Sequence, residues 1–294
     1  MPLVALEGKS VHGGRGEAAG DHSMENNNSS TIQGKNQAKS DWIDRQNFWN
    51  GRAREFSEHA ASTGYPAAFL RIMKPRKSWT VLDMACGGGT LAIPLARKVK
   101  AITAVDFSER MLEIVEQRCC TGGIANVKTL LGRWEDDWDR LGIGVHDVAI
   151  ASRSLLSEDD GGSIAKLDRI AEKAVYISTQ VGDGPFDRKL LESVGREFKQ
   201  RPDYIFYVNL LYEMGIRANV TFISESNPNS WESPEEAFED QRWMLQGMTD
   251  EEEEKLRTYL GQYLVRVKGR WRLPYSRNYC WAVLYWTKNG RGKG

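Results

Sequence analysis

Apolar positions fall into two alternating patterns along this chain. Trp42, Phe48, Trp49, Ala53 and Phe56 recur at helical spacing and predict a helix beginning near Asp41. Pro66–Met73 predicts a second. Short, nearly continuous apolar runs follow at Trp79–Met84, Ala101–Val105, Val127–Leu131, His146–Ala151 and Ala174–Ser178, and read as strands. The segments Thr90–Val99, Glu109–Cys119 and Ser163–Lys173 have helical periodicity. Pro94 is tolerable in or near a first turn, where its missing N–H is not needed. Ser108 is placed to cap the helix after it. Apolar strands separated by helices predict a mostly parallel sheet covered on both faces.

The last third departs from this alternation. Phe186–Phe198 and Tyr204–Met214 predict helices, Ala218–Ile223 a strand and Pro234–Gln246 an acidic helix. Thr249 with Glu252 forms a capping box opening the helix Asp250–Leu260. Val265–Leu273, turning at Gly269, predicts a hairpin, and Tyr279–Trp286 a final aromatic strand.

Residues 1–40 are rich in Gly, Asn, Ser and charge. Such a stretch cannot offset its ordering entropy by burial, so a disordered tail is expected. Residues 41–294 are expected to form a single domain: an N-terminal helical cap (41–78), a cofactor-binding core (79–180), and substrate-side and C-terminal elements (181–294).

Charge changes the picture in one respect. Forty Lys and Arg balance forty Asp and Glu, so the chain lacks the basic surplus of a nucleic-acid binder, and no nucleic-acid partner is expected. No apolar run reaches the roughly 18–20 residues that span a bilayer, and no signal-peptide core is visible, so a cytoplasmic protein with no membrane partner is expected. Cys86, Cys119, Cys120 and Cys280 form neither a disulfide framework nor a metal pattern, and no metal site is expected.

The chemistry concentrates at Val81-Leu82-Asp83-Met84-Ala85-Cys86-Gly87-Gly88-Gly89. A strand delivers the chain to the carboxyl edge of the sheet. Glycines then let the backbone turn and a ligand approach, and the next helix offers its N-terminal amides. About nineteen residues after Gly87 the second strand ends in Asp106, where a carboxylate can accept from a ribose diol. Gly87-x-Gly89-x-x-Ala92 also fits a dinucleotide fingerprint. Asp83 separates the two readings. A carboxylate just before the glycines serves a pyrophosphate poorly, but serves an α-amino group and a sulfonium well.

Val81–Ala96 resembles motif I of the class I S-adenosylmethionine-dependent methyltransferases, and Ala104–Leu112 resembles the acidic motif that follows it. Asp83, Gly87 and Gly89 match, while Ala85 stands where the family has its first glycine. The resemblance implies an α/β, doubly wound, mostly parallel seven-stranded sheet of Rossmann-like type, with N-terminal helices and a C-terminal helical and hairpin insertion. It implies S-adenosyl-L-methionine as cofactor, with Asp83, Ala85, Cys86, Gly87 and Gly89 around the methionine portion and Asp106 on the ribose. Phe107 and Met111 would lie against the adenine. Trp134 would cover the ring, and Glu135 or Asp136 would accept from its amino group; a solvated acidic turn with one packed tryptophan is the alternative. The carboxyl end of the fourth strand, Ala151-Ser152-Arg153-Ser154, should face the transferable methyl.

Methyl transfer needs alignment and exclusion of water more than a catalytic dyad, and the sequence shows no dyad. His146 begins its strand away from the site, and His59 reads as a surface residue. Arg153 could bind an acceptor carboxylate or phosphate, or pair with Glu158. Tyr65 could line the acceptor pocket. The Asn/Asp-Pro-Pro-aromatic signature of amino methylation on bases is absent at Ser152–Leu155. A small-molecule acceptor is therefore expected. A nicotinamide-dependent oxidoreductase and a non-catalytic cofactor-binding or interaction subunit are the other two readings.

Overall fold

The computed structural model describes residues 26–155, 157, 159–198, 202–245 and 247–288, with side chains from residue 43 onward. The chain separates into two units, Met1–Arg45 and Gln46–Gly294. Helix α1 (Asn26–Ser62) begins well before Asp41. Apolar periodicity marks where a helix packs, whereas backbone hydrogen bonding propagates beyond the packed turns at low cost. Of the stretch expected to be disordered, residues 1–25 lie outside the described residues. No helix among the described residues is long and apolar enough to cross a membrane.

In the second unit α2 (Tyr65–Met73) starts with Pro66 in its first turn and stops at Lys74, whose φ of 49° is left-handed. It buries Tyr65, Phe69, Leu70 and Met73. Then come β1 (Thr80–Met84), α3 (Ala92–Ala96), β2 (Ala101–Asp106), α4 (Glu109–Gly122), β3 (Val127–Leu131), β4 (His146–Ser152), α5 (Asp160–Ile170) and β5 (Ala171–Val181). Ser108 caps α4 by accepting from Met111 N, as its position predicts. Helix α3 is shorter than the expected Thr90–Val99. Pro94 cannot donate, and the last turn tightens as Lys98 N reaches Leu95 O. Strand β5 begins at Ala171, inside the expected helix, because Ala171 pairs with His146 across a register shift. Tertiary pairing overrides local periodicity there.

The remaining elements are α6 (Arg188–Ser193), α7 (Tyr204–Glu213), β6 (Asn219–Asn227), β7 (Ser230–Trp231), α8 (Pro234–Gln241), a 3-10 turn at Arg242–Met244, α9 (Asp250–Tyr263), β8 (Val265–Val267), β9 (Arg270–Arg272) and β10 (Arg277–Thr287). The capping box is formed: Thr249 Oγ1 accepts from Glu252 N at 3.3 Å, and Glu252 Oε2 accepts from Thr249 N at 2.9 Å. The expected hairpin exists as β8–β9, turning at Lys268 and Gly269 with φ of 49° and 83°.

Seven strands form one sheet in the order β3-β2-β1-β4-β5-β10-β6, with β10 antiparallel to both neighbours and the other pairings parallel. Strand alternation divides the core in two. Val81, Ile150, Tyr176 and Val283 pack under α2, α3 and α4. Leu82, Met84, Ala151 and Ile177 pack under α5 and α7. A third apolar cluster, with Leu190, Trp231, Phe238 and Leu256, holds α6, α8, α9 and the small β7-β9-β8 sheet together. The insertion between β6 and β10 thus shares a separate core with α6.

Candidate active site

Strand β1 ends beside β2 on one side and β4 on the other, with Asp83 paired in register to Ala104 and Ile150. The chain then turns through Ala85, Gly87 and Gly89, whose φ angles are 55°, 54° and 79°. Gly87 and Gly89 adopt this backbone without penalty. Ala85 does not, and the strain costs about 1 kcal/mol. The position at which the chain departs from the family's glycine pattern is thus the one at which the backbone favours glycine. Cys86 N donates to Val105 O at 2.9 Å, and Gly89 N donates to Cys86 O at 3.1 Å, closing the loop.

Two buried carboxylates face this loop. Asp106 Oδ2 accepts from Gly87 N at 2.8 Å, and its Oδ1 accepts from Ser108 N at 2.9 Å. The first bond joins the two sequence motifs directly. Burial still pushes Asp106 up to about 6. Asp83 is only 1% exposed and is pushed up to about 8, first by burial and then by the charge of Asp106. A hydrogen bond from Ala92 N to Asp83 acts in the opposite direction. Asp83 Oδ2 is buried with no hydrogen-bond partner. No described Lys or Arg forms an ion pair with either acid. Two acids buried together without a cation are costly alone and complementary to a positively charged ligand.

The second half of α1 walls the loop, which the sequence did not reveal. Gln46 Nε2 donates to Phe107 O at 2.8 Å, and Ser108 Oγ donates to Asn50 Oδ1 at 2.6 Å. Phe56 lies 3.6 Å, and Met111 Sδ 4.0 Å, from where a Cβ on Gly87 would stand. Phe56 also meets the edge of Trp49, with centroids 5.1 Å apart. Arg118 on α4 donates to Gly88 O at 2.7 Å and to Ser57 O at 2.8 Å, tying helix to loop. The aromatic spacing in α1 predicted packing, but not the surface on which it packs.

Phe107 is half-buried and Met111 is buried beside Gly87, so the structure brings both to the loop with Asp106. Trp134 is packed against Trp138 and donates to Ser154 O at 3.2 Å. Asp136 is paired with Arg133 at 2.8 Å, and Glu135 is exposed. By strand alternation the Ala151 side chain lies in the layer opposite Asp83, while Ser152 shares the face of Asp83.

His146 is tied to Gly144 O and Thr103 Oγ1 at the far end of β4, and His59 is exposed. Among the described residues no cluster of His, Cys, Asp and Glu could hold a metal ion.

Tyr65 is fully buried. Its hydroxyl lies 2.7 Å from Ser152 Oγ and 2.6 Å from Ser178 Oγ, and burial pushes it above the usual phenol range. Arg153 covers the ring, its Cζ 4.2 Å from the centroid. Tyr65 therefore offers no exposed surface to an acceptor. The alternative partner for Arg153, Glu158, lies outside the described residues.

The sheet order, the glycine loop and the two buried acids define an α/β fold with a candidate ligand site at the carboxyl edge of its parallel strands. A family model described as a methyltransferase domain matches residues 81–170. An uncharacterized protein of Haemophilus influenzae is 31% identical over 245 residues, 81% of this chain and 88% of that one. Demethylmenaquinone methyltransferase of Bacillus subtilis is 32% identical over 90 residues, 27% of this chain and 39% of that enzyme. The crystal structure of a proposed methyltransferase from Bacillus halodurans shares the fold, with a TM-score of 0.54 at 16% identity, covering 76% of this chain and 98% of that one. This chain belongs to the class I S-adenosylmethionine-dependent methyltransferases.

Proposed function

We propose that the protein methylates a small-molecule acceptor, with S-adenosylmethionine held between the β1 loop and β2. The observation that carries the reading is the unpartnered Oδ2 of Asp83 beside Asp106, which fits the α-amino group of that donor. Ala85, Cys86, Gly87 and Gly89 would frame its methionine portion and Asp106 its ribose. Phe107 and Met111 would flank the adenine, with Trp134 and Glu135 toward its edge. When bound, the donor supplies a methyl carbon on a sulfonium, open to in-line displacement. The chain's part is to align, to exclude water and to balance charge.

Two features support a small acceptor. Helix α1 packs on the loop through Phe56 and Ser57, which suits a shielded donor. Lys and Arg only balance Asp and Glu, so a nucleic acid would find no general attraction. Tyr65, held protonated by burial and bound to two serines, is poorly suited to be a general base. The arrangement favours an acceptor that loses its proton unaided.

The test combines calorimetry with mass spectrometry. S-adenosylmethionine should bind the parent and bind Asp106→Ala at least tenfold more weakly. A cellular small-molecule extract incubated with enzyme and donor should yield a product heavier by one methyl group. Methyl incorporation into an RNA fraction, with none into small molecules, would overturn the acceptor class.

A further inference from the structure

Beside the donor site stands a second group of side chains for which methyl-donor binding has no use. Arg153 follows β4 with a φ of 60°, a left-handed backbone uncommon for a residue with a β-carbon. Its N–H donates to Ser178 O at 2.9 Å and lies 3.1 Å from Ser178 Oγ, which locks the turn. The turn folds the guanidinium back over Tyr65, with its Cζ 5.4 Å from the Trp281 ring centroid. Stacking engages the faces of the guanidinium. Its in-plane N–H donors have no acceptor among the described residues. A strained backbone that holds a cation without an ion-pair partner among the described residues suggests a ligand.

Gln180 supplies a second donor. It lies two residues beyond Ser178 on the same face of β5 and is paired in register with Trp281. Its Nε2 is buried and has no hydrogen-bond partner. Glu225, the carboxylate of this group, accepts from Trp281 Nε1 at 2.8 Å rather than from Arg153. Tyr279 stands edge-on to Trp281, with centroids 6.2 Å apart.

We infer that Arg153 and Gln180 form an anion subsite that takes a carboxylate on the methyl acceptor. The inference rests on the methyltransferase reading above and names the chemistry of its acceptor. A planar carboxylate matches the planar fork of a guanidinium, and an amide N–H can complete its second oxygen. A phosphate dianion fits poorly, since a single guanidinium would face its two charges. Trp281 and Tyr279 suit an apolar or aromatic body beyond the carboxylate.

The experiment titrates sodium benzoate, and separately the neutral isostere benzamide, into protein saturated with S-adenosylhomocysteine. Benzoate should bind at least tenfold more tightly than benzamide. Arg153→Gln and Gln180→Leu should each weaken benzoate at least fivefold while leaving S-adenosylhomocysteine affinity and benzamide binding unchanged. Arg153→Lys, which keeps the charge and loses the fork, should fall between parent and Arg153→Gln, and covers the case in which Arg153→Gln fails to fold. Benzoate binding no tighter than benzamide, parent-like benzoate affinity in the two variants, or tighter binding of inorganic phosphate would each overturn the subsite. Failure of S-adenosylhomocysteine to bind the parent would instead strike the donor site. The benzoate and benzamide titrations on cofactor-free protein would then still decide the subsite.

Discussion

The hydroxyl of Ser57 fills the place of a side chain on Gly88: a Cβ built there would stand 1.9 Å from Ser57 Oγ and 2.5 Å from Ser57 Cβ. Helix and loop approach so closely that only glycine fits. Gly88→Ala should therefore push α1 off the loop, costing about 1–3 kcal/mol. At about 2–4 °C per kcal/mol the melting point should drop by several degrees, with weaker S-adenosylmethionine binding. Gly51→Ala is the matched control, since Gly51 lies in the interior of α1 with nothing within 4 Å of its Cβ position. That change should raise stability by up to about 1 kcal/mol. Equal melting shifts in the two variants would contradict the contact.

Ala85 reverses the usual sign of a substitution. Ala→Gly in ordinary backbone destabilises, by about 0.5–1 kcal/mol in a helix or strand. At a φ of 55° the relief of left-handed strain outweighs the added chain entropy. Ala85→Gly should stabilise the protein by about 0.5–1 kcal/mol, read as a higher melting point. A fall of the ordinary size would show that the loop is unstrained.

The acids at the donor site predict a pH dependence of definite sign. Asp83 is held at about 8, against 3.8 ordinarily, and Asp106 at about 6. Between pH 4 and 8 these two acids therefore hold more protons in the folded chain than in the unfolded one. Their contribution to stability is greatest below the ordinary value and is lost as pH rises through the folded ones. Asp83→Asn should flatten much of that slope in melting curves from pH 5 to 8. A cationic ligand would reverse the preference and favour ionised Asp83. S-adenosylmethionine binding near pH 7 should thus release a proton, measurable by calorimetry in two buffers of different ionisation enthalpy. No release by the parent, or equal release by Asp83→Asn, would argue against Asp83 as the contact.

Asp168 offers a test of the fold away from the site. It accepts from Trp286 Nε1 at 2.8 Å and pairs with Lys288 at 2.7 Å, joining α5 to the end of β10. Asp168→Ala leaves a buried indole N–H without its acceptor and removes the ion pair of Lys288, whose ammonium keeps the backbone carbonyl of residue 168, costing about 2–4 kcal/mol. Asp168→Asn keeps an acceptor for the indole and should lose less. Thermal melts that rank the two in the opposite order would show that charge and hydrogen bonding are not what Asp168 supplies.

Much of this protein is set by local sequence. The strand runs from Trp79 onward, the caps at Ser108 and Thr249, and the Gly87–Gly89 turn all rest on contacts within a few residues, so they were legible before any coordinates. Asp83 and Asp106 were legible as well, because each lies at the carboxyl end of a strand, Asp83 one residue before the end of β1 and Asp106 at the end of β2. What only the tertiary structure decided depends on groups far apart in sequence. Alternation measured from actual pairing turned Ala151 away and brought Ser152 into line with Asp83. The seat of Ser57 on Gly88 and the bond from Gln46 to Phe107 join helix to loop across long stretches of chain. Arg153 was suspect by position alone, but its place over Tyr65 and beside Trp281, the register partner of Gln180, needed three strands and α2 to meet. Periodicity records which residues are buried; it carries no information on which partner buries them, because burial depends on surface area and partner choice depends on the closure of the whole sheet.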